Sequence, residues 1–493
     1  MTETAPSPQE LVPQPVQVHP IPNATFTLTP DTKIVLATEA AHHPAARLAE
    51  VLRPSTGYDL EITTEPSSNA ILFDTGETAE EGYELDVTAT GVTIRATTPA
   101  GHFNAVATLR QLLPPEVEAK SEQPVEWRIP GVRIEDHPRY PHRGAMLDVT
   151  RHFFTPDQVK NYIDQLAAFK INHLHLHLSD DQGWRLEIKS WPQLTNIGGR
   201  TEVGTRTGDF FYTQAEYKDL VEYARARGMT VIPEFDMPGH TNAAQSSYAN
   251  LNADNTRRDP YTGIEVGFSS LAIHEDITYE FIEDVIREVA AITPGPYLHI
   301  GGDEALTTPD ADYEAFMTRA LPLVEKYGKT AIGWHEFIKT TTDTGPVVQF
   351  WNQTTADENV AAAAKRGTRV ILSPANRVYL DMKYTEDTEL GLKWAGVVEV
   401  RDSYDWDPGS YLEGVPEDRV LGVEAPLWTE TAETPADLEF LAFPRLPAAA
   451  ELGWSPRATH DWDDFARRLG AQARRWKVQG INYYRSPQVP WQD

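Results

Sequence analysis

The chain has 493 residues, long for one ordinary domain but right for an α/β barrel with a smaller companion. Apolar residues at 40% and charged residues at 24% describe a globular protein and exclude a disordered one. A net charge of −30 repels nucleic acid and anionic membrane, and the absence of cysteine excludes disulfides, thiolate nucleophiles and Cys-ligated metal.

No stretch approaches the ~20 apolar residues of a membrane span. The opening MTETAPSPQELVPQPVQVHPIP has neither a basic n-region nor an apolar h-region, so it does not read as a signal peptide. Its proline and polar content predicts a loose leader over 1–22. That leaves two compartments open: an intracellular protein, or an exported one whose signal has been removed. Residues 23–137 read as a small α+β domain. FTLTPDTKIVLA, DLEITT and AILFDTG are strand-like, YELDVTATGVTIRATT predicts a hairpin turning near Gly91, and HFNAVATLRQLL has helical spacing.

From about Arg143 the pattern alternates strand and helix. Eight apolar runs follow: GAMLDV, INHLHLHLS, MTVIPEFDM, PYLHIGGDE, TAIGWHE, VVQFW, RVILSP and VLGVEAPLW. Between them, Thr155 and Gln158 form a capping box with Pro156 at the first turn. Thr213 and Glu216 form a second box, in a helix ended by Gly228. Eight repeats predict a (β/α)8 barrel over 138–493; a doubly wound sheet would need a Gly-rich phosphate turn after its first strand, and none is present.

In a barrel the active site lies where the strands end. The predicted ends carry Asp148 and Arg151; Ser179, Asp180 and Asp181; Glu234, Asp236 and His240; Asp303 and Glu304; Trp334, His335 and Glu336; Trp351; Tyr379 and Asp381; Trp428 and Glu430. Carboxylates beside aromatic platforms suit glycoside hydrolysis: one acid protonates the leaving oxygen, a negative group answers the charge developing at the anomeric carbon, and tryptophan faces stack on sugar C–H faces.

Three local signals carry two readings each. In HIGGDEA, Asp303 and Glu304 reach one pocket only if the strand stops and the chain turns, since strand neighbours point apart; otherwise they are an exposed acidic pair. In HLHLHL, His173, His175 and His177 share one strand face, either as metal ligands or as a hydrogen-bonded barrel interior. They precede the strand end and no second histidine cluster follows, which favours the interior. In EFDMPGH, His240 either bonds a carboxylate or caps a turn.

The ordered motifs RGAMLDVTRHF, HLHLSDDQGWRLEI, PEFDMPGHTNAA, HIGGDEA, GWHE, WAGVVEV and EAPLWTE resemble the family 20 glycoside hydrolases, the β-N-acetylhexosaminidases, in their actinomycete form, over about residues 130–490. The resemblance implies that the substrate's own 2-acetamido oxygen attacks the anomeric carbon. By motif, it implies Glu304 as general acid then base, Asp303 on the acetamido N–H, and Tyr379 on the acetamido oxygen. It also implies Asp180 and His240 as a pair linked to Glu304, Arg151 on the 3- and 4-hydroxyls, and Asp381 and Glu430 on the 4- and 6-hydroxyls. Trp334, Trp351 and Trp428 would wall the sugar pocket, with Trp394 on the leaving-group side. No metal and no organic cofactor is implied; the partner is a carbohydrate ending in a β-linked N-acetylhexosamine. Competing expectations are a retaining glycosidase with an enzyme nucleophile, a metal-dependent amidohydrolase using the histidine strand, and a non-catalytic sugar-binding protein.

Overall fold

The computed structural model describes residues 7–492. The alternating first part folds into a seven-stranded mixed sheet of β1 (Gln17–Thr27), β2 (Lys33–Leu36), β3 (Ile62–Thr63), β4 (Ala70–Thr75), β5 (Tyr83–Val87), β6 (Val92–Ala96) and β7 (Arg128–Asp136). Their spatial order is β1-β7-β5-β6-β4-β2-β3. The predicted hairpin is β5–β6, paired Val87↔Val92 and closed by Thr88 N–H donating to Gly91 O. Helices His42–Thr56 and Pro99–Leu112 bury Leu48, Leu52, Leu109 and Leu112 with Ile71, Phe73 and Ile94 of the sheet.

The expected loose leader is corrected here. From Ser7 onward the described part of that segment is ordered: β1 pairs antiparallel with β7, and Leu11 and Val12 are buried, one in each domain's core. Gln111 accepts from Val12 N–H at 3.0 Å and Glu451 from Gln14 N–H at 3.1 Å. Prolines and polar residues hid the strand because it is an edge strand with an irregularity between Pro20 and Thr25. An edge needs only one hydrogen-bonded side and tolerates missing N–H groups.

All eight predicted runs overlap barrel strands: β8 (His142–Asp148), β9 (His173–His177), β10 (Thr230–Glu234), β11 (Tyr297–His299), β12 (Thr330–Trp334), β13 (Val347–Phe350), β14 (Val370–Leu372) and β15 (Val420–Leu427). They pair in parallel and close, β15 joining β8. Both predicted capping boxes form, opening helices Pro156–Ala167 and Gln214–Arg225; the second helix ends three residues before Gly228. Period-two alternation sorts β9: Leu174 and Leu176 face outward into the helical layer, while His175 and His177 face the lumen. Among the described residues no helix is long and apolar enough to cross a membrane.

Lys170 Nζ donates to Asp136 Oδ2 at 3.0 Å and sits 4.2 Å from the Trp454 ring centroid, while Trp454 Nε1 donates to Asp136 at 3.0 Å. This buried clasp joins the N-terminal sheet to the barrel.

Candidate active site

At the C-terminal ends of the strands lies a cleft of about 380 Å³. It is lined by Arg151, His240, Asp303, Glu304, Trp351, Tyr379, Asp381, Trp394, Trp428 and Glu430, joined by Ile264, Val266 and Leu392. Ten of the twelve expected site residues therefore meet there. Asp180 and Trp334 lie behind the wall. Trp334 was expected on the pocket wall; it is fully buried, its Nε1 donates to Glu234 at 2.9 Å, and its ring stands 5.9 Å from that of Trp428. As the last residue of β12 it packs in one cluster with Trp428 and Tyr379 and supports the wall from within.

The strand stops early at Asp303 and Glu304. β11 ends at His299, and Gly301 (φ 66°) and Gly302 (φ 99°) swing the chain through left-handed backbone that side chains resist. Gly302 N–H donates to Asp236 Oδ1 at 2.9 Å. Glu304 itself holds φ 45° and His240 φ 54°, both strained for residues with a β-carbon. The turn settles the acidic pair's geometry: the Asp303 side chain is 11% exposed and that of Glu304 32%. One acid is deep and one faces the cleft.

His240 bridges them. Its Nδ1 lies 3.0 Å from Asp180 Oδ1, and its Nε2 stands 3.3 Å from Glu304 Oε2 and 3.7 Å from Asp303 Oδ2, with no aligned bond yet made to either. Burial works against a charged imidazole, but Asp180 and Asp303 outweigh it and raise His240 well above its ordinary value. Asp180 is itself held by His177 Nε2 at 2.7 Å and Arg151 Nη2 at 3.0 Å. Those cations overcome burial and keep it well below the usual carboxylate range.

Burial and the Asp303 charge push Asp236 well above the usual carboxylate range, while burial and the charges of Glu304 and Glu234 raise Asp303 against the pull of His240 and of Asp236. Glu336 accepts from Trp351 Nε1 at 3.1 Å, and burial together with the Asp303 charge raises it to about 8. Asp236 and Glu336 stood among the strand-end acids in the sequence, but nothing there separated them from their neighbours; only the turn at Gly301 makes Asp236 a partner of Asp303. Ile264 and Val266 come from a long loop without periodicity and carried no signal.

Another part of the cleft gathers charged groups with open hydrogen-bonding capacity. Asp148 Oδ1 accepts from the backbone N–H groups of Thr150 and Arg151, turning Arg151 back beside Asp148 Oδ2 at 3.3 Å. Arg151 Nε, both oxygens of Asp381 and Glu430 Oε2 are buried without a protein partner. Burial and the Glu430 charge raise Asp381 well above normal; burial also raises Glu430, against the pull of Arg151. Unpaired buried donors and acceptors beside one another are costly unless a ligand satisfies them. Tyr379, Trp428, Trp394 and Trp351 stand in mutual ring contact at 5.7–6.3 Å around this group.

The lumen histidines take the hydrogen-bonded role. His175 lies between Glu424 (2.7 Å) and Glu234 (2.8 Å), and His177 between Glu234 (2.6 Å) and Asp180 (2.7 Å). Among the described residues three groups could geometrically hold a metal, His175/Glu234/His299, Asp180/Asp181/His240 and Asp236/His240/Asp303. In the first, His175 Nε2 is bonded to Glu234 and His299 Nδ1 accepts from Gly301 N–H; in the second, His240 Nδ1 is bonded to Asp180.

A barrel with a deep acid, an exposed acid, unpaired hydroxyl-binding groups and an aromatic wall defines a glycosidase. Residues 140–315 and 306–457 match the Glycosyl hydrolase family 20 catalytic domain, and residues 8–137 match domain 2 of the same family. The chain belongs to glycosyl hydrolase family 20. It is 41% identical over 491 residues to a beta-N-acetylhexosaminidase of Cellulomonas fimi, covering 98% of this chain and 97% of that one. The GH20 beta-N-acetylhexosaminidase structure from Streptomyces coelicolor A3(2) superposes with TM-score 0.96 at 53% identity, covering 99% and 100% of the two chains. A mutant Streptomyces plicatus beta-hexosaminidase in complex with its product GlcNAc gives TM-score 0.95 at 54% identity, covering 99% and 98%.

Proposed function

We propose that this protein is an exo-acting, retaining β-N-acetylhexosaminidase that removes terminal non-reducing GlcNAc and GalNAc by substrate-assisted catalysis. The observation that carries the reading is the split between the two adjacent acids. Asp303 is deep, stands beside Asp236 and lies near Tyr379; Glu304 opens on the cleft under His240. A buried acid tied to a partner suits orienting an acetamido group, and an accessible one suits proton transfer.

In this reading Asp303 accepts the acetamido N–H and Tyr379 donates its hydroxyl to the acetamido oxygen, aiming that oxygen at the anomeric carbon. As the C–O bond to the leaving group breaks, Glu304 gives its proton to the departing oxygen and an oxazolinium forms. Glu304, now a base, takes a proton from water; the water oxygen bonds to the anomeric carbon on the face the leaving group left, and the oxazolinium opens back to acetamide. Arg151, Asp381 and Glu430 hold the ring hydroxyls, with Trp428 against its face.

The test compares 4-nitrophenyl N-acetyl-β-glucosaminide with 4-nitrophenyl β-glucoside. Rapid release from the first and little from the second is expected; comparable rates would mean an enzyme nucleophile. Full activity after prolonged EDTA treatment is expected, and a loss restored by zinc would support an amidohydrolase-type metal site instead.

A further inference from the structure

We propose that a hydrogen-bonded column of carboxylates and imidazoles, running through the barrel lumen from Glu424 to His240 and facing Glu304 at its top, positions the proton on Glu304, with Glu234 as a positioning residue below the cleft. The proposal rests on the glycosidase reading above and extends it to residues that never touch substrate.

The column can be followed atom by atom. Glu424 Oε1 meets His175 Nδ1 at 2.7 Å, and His175 Nε2 meets Glu234 Oε2 at 2.8 Å. The same Glu234 oxygen meets His177 Nδ1 at 2.6 Å, and His177 Nε2 meets Asp180 Oδ2 at 2.7 Å. Asp180 Oδ1 meets His240 Nδ1 at 3.0 Å, and His240 Nε2 faces Glu304. Every imidazole is flanked by carboxylate oxygen on both nitrogens. An imidazole nitrogen without hydrogen would there oppose lone pair to lone pair, so each ring carries two protons.

The carboxylates are correspondingly saturated. Glu234 also accepts from Trp334 Nε1 at 2.9 Å, and Glu424 from His142 at 2.8 Å and Gln349 Nε2 at 2.8 Å. His299 stands outside the column: its Nδ1 accepts from Gly301 N–H, so it presents no proton to Glu234. Burial alone would neutralise His175 and His177, yet the flanking acids lift them to about 9 and about 10. The other titratable or charged groups facing the column are Arg151, Asp148, Asp181, Asp236 and Asp303 toward its upper end, His299 beside Glu234 and His142 beside Glu424.

Alternating charge fixes direction. With Glu234 ionised, His177 keeps the proton that it donates to Asp180; Asp180 then keeps both oxygens as acceptors, and His240 directs its remaining N–H at Glu304. Glu234→Gln deletes one charge at nearly constant shape and lets His177 lose its proton, which frees Asp180 from below.

The test measures kcat for Glu234→Gln on two substrates. Chitobiose needs a protonated leaving oxygen; a dinitrophenyl N-acetylglucosaminide does not. A loss of roughly tenfold or more is expected on chitobiose, with little loss on the dinitrophenyl substrate and unchanged affinity for a thiazoline inhibitor. Equal losses on both substrates, or none on either, would overturn the column. Should Glu234→Gln fail to fold, Glu424→Gln, one link lower, is expected to act in the same direction. In wild-type enzyme at pH 7, imidazole nitrogen NMR shifts should show His175 and His177 doubly protonated, and a neutral ring at either position overturns the proposal without any variant. Wild-type inactivity on both N-acetyl substrates would instead sink the functional reading.

Discussion

Gly301 lies so close to Asp236 that a β-carbon on it would stand 1.8 Å from Asp236 Oδ1. This approach lets Gly302 bond the same oxygen and seats Asp303 beside Asp236, so the deep acid owes its place to a missing side chain. Gly301→Ala must push the two strand ends apart and also strains φ 66°. Expected is a fall in kcat on the order of 10²-fold, the cost of misplacing reacting groups by about an ångström, with the far-UV circular dichroism spectrum retained. A wild-type kcat would mean that the strand ends have slack.

The approach of Asp236 to Asp303, which raises Asp236 well above the usual carboxylate range, gives an ordering of variants. Asparagine at 236 removes the charge beside Asp303 but keeps a polar group that can bond it; alanine removes the charge and that group together. Asp236→Asn should therefore keep kcat/KM within about tenfold of wild type, and Asp236→Ala should lose roughly ten to a hundred times more, the worth of a hydrogen bond to a charged group. Steady-state kinetics on one substrate decides it, and equal activities would remove Asp236 from the mechanism.

The barrel was legible because each strand is an apolar run with its own turn and cap, and the site was legible because the fold puts function at strand ends. Three things were not. β1 was hidden by prolines that an edge strand tolerates. Trp334 was misplaced because nothing in GWHE shows that the ring at the end of β12 turns into the lumen, where its Nε1 donates to Glu234. Glu234 and Glu424 looked like any strand acids; their importance arises from meeting His175, which is remote from Glu424 in sequence.

Glu336 ties stability to pH. Burial and the neighbouring Asp303 raise its folded value to about 8, while in the unfolded chain it titrates near 4.3. The folded state thus holds a proton that the unfolded state releases; its contribution is complete below about pH 4 and drains away as pH climbs to 8. His175 and His177, lifted to about 9 and about 10, add a decline above about pH 6.5. Asp180 and Glu234, held well below normal, change slope only in acid. Tm should fall steadily from pH 5 to 9, and Glu336→Gln should flatten the portion between 5 and 8. Differential scanning fluorimetry across that range checks it; an unaltered slope would place an ionised Glu336 in the fold.

On the proposed reading Trp394 marks the leaving-group side of the cleft, and apolar surface is open there. Trp394 is 47% exposed, held in T-shaped contacts with Trp351 and Tyr379, and Ile264, which also lines the cleft, is 48% exposed. Apolar surface left open at a cleft mouth gains by covering a sugar's C–H face. Trp394→Ala should raise KM for chitobiose about tenfold, matching a stacking contact near 1.4 kcal/mol. Affinity for an inhibitor that fills only the terminal-sugar pocket should stay unchanged. Ile264→Ser exposes less lost surface and should act in the same direction more weakly. If both inhibitor and disaccharide weaken together, Trp394 serves the terminal sugar itself, and the second ring leans on the Ile264 bank alone.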